Sequence, residues 1–164
     1  MKQLLIICAA VALLLSCMSS GSSDPNATTA EDFSDYASWQ KANAETITGD
    51  PSGVLGNAHE GASGLREIYV NSVGAAMFAA NERGPYPVGT IVLKESFKSD
   101  SGAKGSLTGI TVMVKREAGY DSENGDWEYL NVNSKMKIKA QGKMSMCISC
   151  HSASEDDYLF SNMD

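Results

Sequence analysis

Two cysteines three positions apart with a histidine directly behind the second, Cys147-Ile148-Ser149-Cys150-His151, are the residues of this sequence best spaced for chemistry. Three chemistries use such a set. Each thiol can add to a vinyl group of protohaem while the histidine falls beneath the iron, which is why c-type haem attachment requires C-x-x-C-H in that order. A zinc knuckle would need a fourth ligand, and the only other histidine, His59, stands far away in a Gly-rich loop, leaving a carboxylate as the substitute. A thioredoxin-like redox pair wants a strand before the motif and a helix after it, whereas "GKMSM" offers no apolar strand. The order of the residues suits haem attachment best.

Compartment bears on that choice. The chain starts "MKQLLIICAAVALLLSC", a lone Lys2 ahead of an apolar run from Leu4 to Leu15 that is too short for a stable bilayer span and reads as an export signal. Ser16 before Cys17 resembles a bacterial lipobox, so residues 1–16 are expected to be a lipoprotein signal peptide and Cys17 the lipidated first residue of the mature chain. That predicts a protein exported to the periplasmic side and anchored to a membrane by its lipid. Haem is attached to c-type proteins on that same side. Of the 164 residues, 148 then remain, enough for one core and too few for two. With 12 basic and 20 acidic side chains the mature charge is about −8, which disfavours nucleic acid and anionic lipid as partners. Only Cys147 and Cys150 stay in the folded part, so no disulfide framework holds it.

Several elements must position the motif. Residues 17–31 are small and polar and predict a flexible tether, with the domain running over 32–164. "FSDYASWQKAN" has roughly helical spacing, capped by Asp32 or Ser34, and precedes a long Gly-rich loop. "LREIYVN" alternates as a strand, and "SVGAAMFAANERG" predicts a helix capped by Ser72 and stopped by Gly84. "PVGTIVLKESFK" and "LTGITVMVKRE" are β-branched runs joined by "SDSGAKGS", and therefore antiparallel neighbours. "DWEYLNV" and "KMKIKA" add two strands. The expected class is α+β, an antiparallel sheet with two to four short helices and a haem c attachment at the C-terminal end.

The position of C-x-x-C-H behind a sheet, with "YASWQKAN", "LREIYVN", "YPVGTIVLKESF", "ITVMVKREAGYDSENGDWEYL" and "CISCHSASEDDYLF", resembles the cytochrome P-460 family, which includes the cytochromes c-prime-beta; the likeness runs from about Phe33 to Phe160. The resemblance implies one covalent haem c on Cys147 and Cys150, His151 as proximal iron ligand, a distal side open to nitric oxide or hydroxylamine, and a homodimer. It places Lys94 where P-460 members carry a lysine bonded to the porphyrin; the bland alternative is a solvated strand residue. Alternation puts Thr90, Val92, Lys94 and Ser96 on one face and the more apolar Ile91, Leu93, Glu95 and Phe97 on the other. Arg66 would pair with a haem propionate through its planar fork, or else form a surface ion pair with a neighbour such as Glu67. Thr111 falls where hydroxylamine-oxidising members carry a carboxylate, and a hydroxyl cannot take the proton that reaction releases. Thr111 and Met113 share a strand face and would line an apolar pocket or the core.

The resemblance thus implies nitric oxide binding, with conversion by an oxidoreductase activity open. The competing reading is a six-coordinate electron-transfer cytochrome closed by His59, Met113, Met136, Met144 or Met146. Trp127 and Tyr129 read as core. "DSENGD" fails as a calcium loop, since the sixth position from Asp121 is Asp126 and the twelfth is Val132, and reads as a tight acidic turn.

Overall fold

The computed structural model describes residues 26–43, 47–48, 65–80 and 82–160. Seven strands are described: β1 (Gln40–Lys41), β2 (Ile47–Thr48), β3 (Leu65–Val70), β4 (Ile91–Asp100), β5 (Ala103–Lys115), β6 (Trp127–Val132) and β7 (Ile138–Gly142). Two α-helices accompany them, α1 (Ala75–Ala80) and α2 (Ser145–His151), with three 3-10 turns. The strands form one antiparallel sheet in the order β1-β3-β4-β5-β6-β7, and β2 pairs with β3 beyond β1. This is the expected α+β class. No helix among the described residues is long and apolar enough to cross a membrane.

β4 and β5 meet through a tighter turn than the Gly- and Ser-rich sequence suggests. Ser101 (φ 52°) and Gly102 (φ 88°) both occupy the left-handed region, the geometry of a two-residue hairpin whose twist matches its strands. Asp100 therefore pairs with Ala103, and the strands run on into residues read as loop.

The register sorts side chains onto two faces. Ile91, Leu93, Ile110, Val112, Val114, Leu130 and Val132 pack on one face around Phe33, which is fully buried. Ile68, Val70, Val92, Met113, Trp127 and Tyr129 occupy the other, covered by Met77 and Phe78 of α1 and by Cys147 and Ile148 of α2.

Three expectations need correction. The segment from Phe33 to Asn43 is not one helix but 3-10 turns at Ala30–Phe33 and Tyr36–Ser38, followed by β1. Pairing with β3 is the physical reason: the chain turns extended at Trp39 (ψ 168°) and Gln40 and Lys41 pair with Val70 and Tyr69, which a continued helix would forbid. The tether does not extend to residue 31. Thr28 is buried and donates to Glu128 Oε2 at 2.6 Å, Arg116 donates to Thr28 Oγ1 at 2.9 Å, and Arg116 also donates to the Asn26 carbonyl. Polar composition concealed this, because the segment is held by hydrogen bonds instead of apolar burial.

Helix α1 is also shorter than its alanine-rich run. Asn71, not Ser72, organises its start: Oδ1 accepts from Gly74 and Ile91 N–H at 3.3 and 3.0 Å, while Nδ2 donates to the Gly89 carbonyl at 2.8 Å. Gly74 allows this close approach, since a Cβ there would meet Thr90 Cγ2 at 2.4 Å.

Burial gives the fold a defined alkaline limit. Tyr36 and Tyr86 are both pushed up from 10 to about 12, foremost by burial, and Tyr36 also donates to Glu95 Oε1 at 2.7 Å. Between those values the unfolded chain releases a proton that the folded chain keeps, so the contribution of these two tyrosines to stability is complete below pH 10 and falls as pH rises towards 12. Chemical denaturation between pH 9 and pH 12 should show that loss, and Tyr36→Phe should reduce its slope.

Candidate cofactor pocket

One cavity of about 230 Å³ opens between the sheet and α2. The sheet builds its wall in cross-strand rows: Val92, Met113 and Tyr129 lie in register, as do Ile68, Lys94, Thr111 and Asn131. Arg66 adds a corner from β3, and Phe78 of α1 reaches in beside Met144. Cys147 and Cys150 stand three residues apart on α2, on one side of the helix, and both line the cavity with His151. The motif is thus inside a helix, with the short exposed strand β7 before it. This differs from a thioredoxin-like pair, which precedes its helix.

His151 is held on three sides. Its Nδ1 lies 2.6 Å from the Tyr158 carbonyl. A carbonyl can only accept, so Nδ1 carries the proton and Nε2 carries the lone pair. The imidazole ring sits between Tyr129 and Phe160, with centroids 5.5 Å away on both sides. Burial, with a smaller contribution from the Lys94 charge, lowers the His151 pKa against the opposing Tyr158 hydrogen bond, which favours the neutral ligand form. Burial also raises the Cys147 pKa, favouring the thiol.

Lys94 points its chemistry into the same cavity. Its pKa is brought down from 10.5 to about 7, chiefly by burial and secondarily by the Arg66 charge, with Cys147 opposing. Lys94 lines the cavity and is only partly exposed, which sets aside the solvated-strand alternative. Arg66 is likewise no surface residue: it is 2% exposed, and its neighbour Glu67 pairs instead with Lys41 and Lys104, at 3.2 and 3.1 Å.

The expected site residues Arg66, Lys94, Thr111, Met113, Cys147, Cys150 and His151 therefore converge on one cavity. Met144 and Met146 line it as well, whereas Met136 packs on the opposite face of the sheet. Cys17 and His59 lie outside the described residues. Trp127 is core, as expected. Tyr129 is core and wall at once, and its buried hydroxyl has no hydrogen-bond partner among the described residues. Sequence reasoning missed Phe160 and the Tyr158 carbonyl, for which no pattern speaks; Asn131 was detectable from its register with Thr111.

These residues fit a porphyrin. The wall is largely apolar, the two thiols share one side of a helix, and the imidazole is locked in the tautomer that presents Nε2. Among the described residues, no three of His, Cys, Asp and Glu converge to hold a bare metal ion. "DSENGD" forms the tight turn expected of it, in which Asp126 Oδ1 accepts from Gly119 and Asp121 N–H.

A family model described as Cytochrome P460 matches residues 33–161. No curated protein matches the chain.

Lys94 gives the haem-free chain a second pH signature. Its amine is neutral in the fold above about pH 7 but stays protonated in the unfolded chain to about 10.5, so stability rises with pH across that interval. Thermal unfolding of haem-free protein at pH 6.5 and 9 should show a higher Tm at pH 9, and Lys94→Met should raise the Tm at pH 6.5 and flatten the difference.

Proposed function

The chain belongs to the cytochrome P460 family, a family of c-type haem proteins, and from that premise we propose that it carries one haem c bound through Cys147 and Cys150, with His151 as axial ligand, and binds nitric oxide. Haem c supplies an iron with an exchangeable position at which a small nitrogen species binds. The single observation that carries this reading is the setting of His151: its ring lies against Tyr129 and Phe160, and its Nδ1 faces the Tyr158 carbonyl, which leaves Nε2 as the donor. Arg66 offers a buried planar fork for a propionate. Val92 and Met113 keep the sheet wall apolar.

The lining favours a neutral diatomic over hydroxylamine. Among the described residues it contains no Asp or Glu, and Thr111, across from Lys94, supplies only a hydroxyl. Removing hydrogens from hydroxylamine needs a proton acceptor with a pKa near the working pH. Lys94 is the one lining group brought close to that range, so hydroxylamine conversion stays the lesser activity in this reading. Whether Lys94 also bonds to the porphyrin is part of the same question. A second reading, six-coordinate electron transfer, is favoured by Met113 and Met144 lining the cavity.

Expression with a cytochrome c maturation apparatus should add the mass of one haem, and Cys147→Ser with Cys150→Ser should abolish that gain. The ferrous spectrum should shift on adding nitric oxide; sharp low-spin bands that ignore the gas would favour electron transfer. A Lys94→Ala protein with an unchanged haem spectrum would rule out the porphyrin bond.

We also carry into this proposal a homodimer and a lipid on Cys17, with the domain on the periplasmic side of a membrane. Cys17→Ser should move the protein from the membrane fraction to the soluble fraction.

A further inference from the structure

The segment after α2 turns back on itself through two consecutive non-glycine residues in the left-handed region, Asp157 (φ 43°) and Tyr158 (φ 68°). Such backbone is disfavoured for L-residues and persists only where its surroundings enforce it. Here the enforcement is extensive. Lys115, buried on β5, donates to both Asp157 carboxylate oxygens at 2.9 and 2.7 Å and to the Gly125 carbonyl at 2.8 Å. Asp157 Oδ2 also accepts the Tyr86 N–H at 2.7 Å, and the Asp157 carbonyl accepts the Trp127 Nε1–H at 2.8 Å. The Lys115 ammonium lies 5.1 Å from the Trp127 ring centroid.

Two glycines make room for this corner. A Cβ on Gly84 would meet Asp157 Cβ at 2.3 Å, and one on Gly125 would meet the Tyr158 ring at 2.7 Å. Everything held there bears on one atom. The next carbonyl after Asp157 is that of Tyr158, which accepts the His151 Nδ1–H at 2.6 Å.

We infer that Lys115, Asp157 and Trp127 are positioning residues that hold the Tyr158 carbonyl against His151 Nδ1 and thereby set how strongly His151 donates to the iron. The inference rests on the haem c reading above. A hydrogen bond from the far nitrogen raises the basicity of a ligating imidazole and fixes its orientation. An ion pair buried with its partners satisfied can hold such a contact more rigidly than a solvated one, because neither group gains by leaving.

The test uses the matured holoprotein. Lys115→Met removes the ammonium, and Trp127→Phe removes the donor to the Asp157 carbonyl while leaving the ion pair; Thr28→Ala is the control, loosening a buried hydrogen bond that does not involve the corner. Haem content is read by mass, and the iron–histidine stretch of the ferrous protein by resonance Raman. For a six-coordinate iron the reduction potential replaces the stretch. Both corner variants should retain one haem and show a stretch at lower frequency or a higher potential, while Thr28→Ala lowers Tm and leaves both unchanged. Corner variants that lose Tm yet keep the wild-type stretch and potential would overturn the inference while leaving haem binding intact. Should Lys115→Met fail to fold, Trp127→Phe decides alone. A wild-type protein without haem removes the inference together with the reading beneath it.

Discussion

The register that β4 keeps from Val92 to Ser96 with β3 and β5, carried on into β6, decides which side chains share a space. Ile68 stands opposite Lys94, Lys94 opposite Thr111 and Thr111 opposite Asn131. Because side chains alternate along each strand, a slip of one residue in any of these pairings would send its set to the face packed around Phe33. Register shifts on either side of Phe97 separate the Ser101–Gly102 turn from the pairings of Ile91 to Ser96, so the register at the pocket rests on the packing of both faces of the sheet. The pocket is thus a consequence of pairing, and helix α2 needs only to close over it.

Polar groups do their part on that apolar scaffold by being enclosed. Arg66, Glu67, Glu95, Lys115 and Glu128 are all buried, an unusual set for one small sheet. Glu67 is met by two lysines and Glu128 by Arg116 and Thr28, so those charges are paired close to the strands that carry them. Enclosure also explains the direction of every shift around the cavity. Burial is the largest of the causes that disfavour charge on Lys94, His151 and Cys147, the groups that would face a macrocycle.

The sheet was legible because strands announce themselves locally: alternation and β-branching in "TIVLKESF" and "ITVMVK" need nothing from elsewhere in the chain. The residues of the site were legible through the C-x-x-C-H spacing and the family likeness, which led to Arg66, Lys94, Thr111 and Met113. What stayed hidden depends on partners distant in sequence. Asn71 caps α1 by reaching Gly89 and Ile91, Thr28 is buried by an acceptor one hundred positions away, and the Tyr158 carbonyl is a backbone atom that no side-chain pattern marks. The helix expected at Phe33 gave way to a distant partner as well, since Gln40 and Lys41 pair with Val70 and Tyr69 of β3.

The docking of Asn26 on Arg116 would bear on the mechanics of the protein if the proposed lipid held it. Were Cys17 the anchor, nine positions would separate it from Asn26, against fifteen from Asp32. At roughly 3.5 Å per residue the longest reach falls from about 50 Å to about 30 Å. Such a domain would meet other molecules by lateral travel along the bilayer more than by excursions away from it.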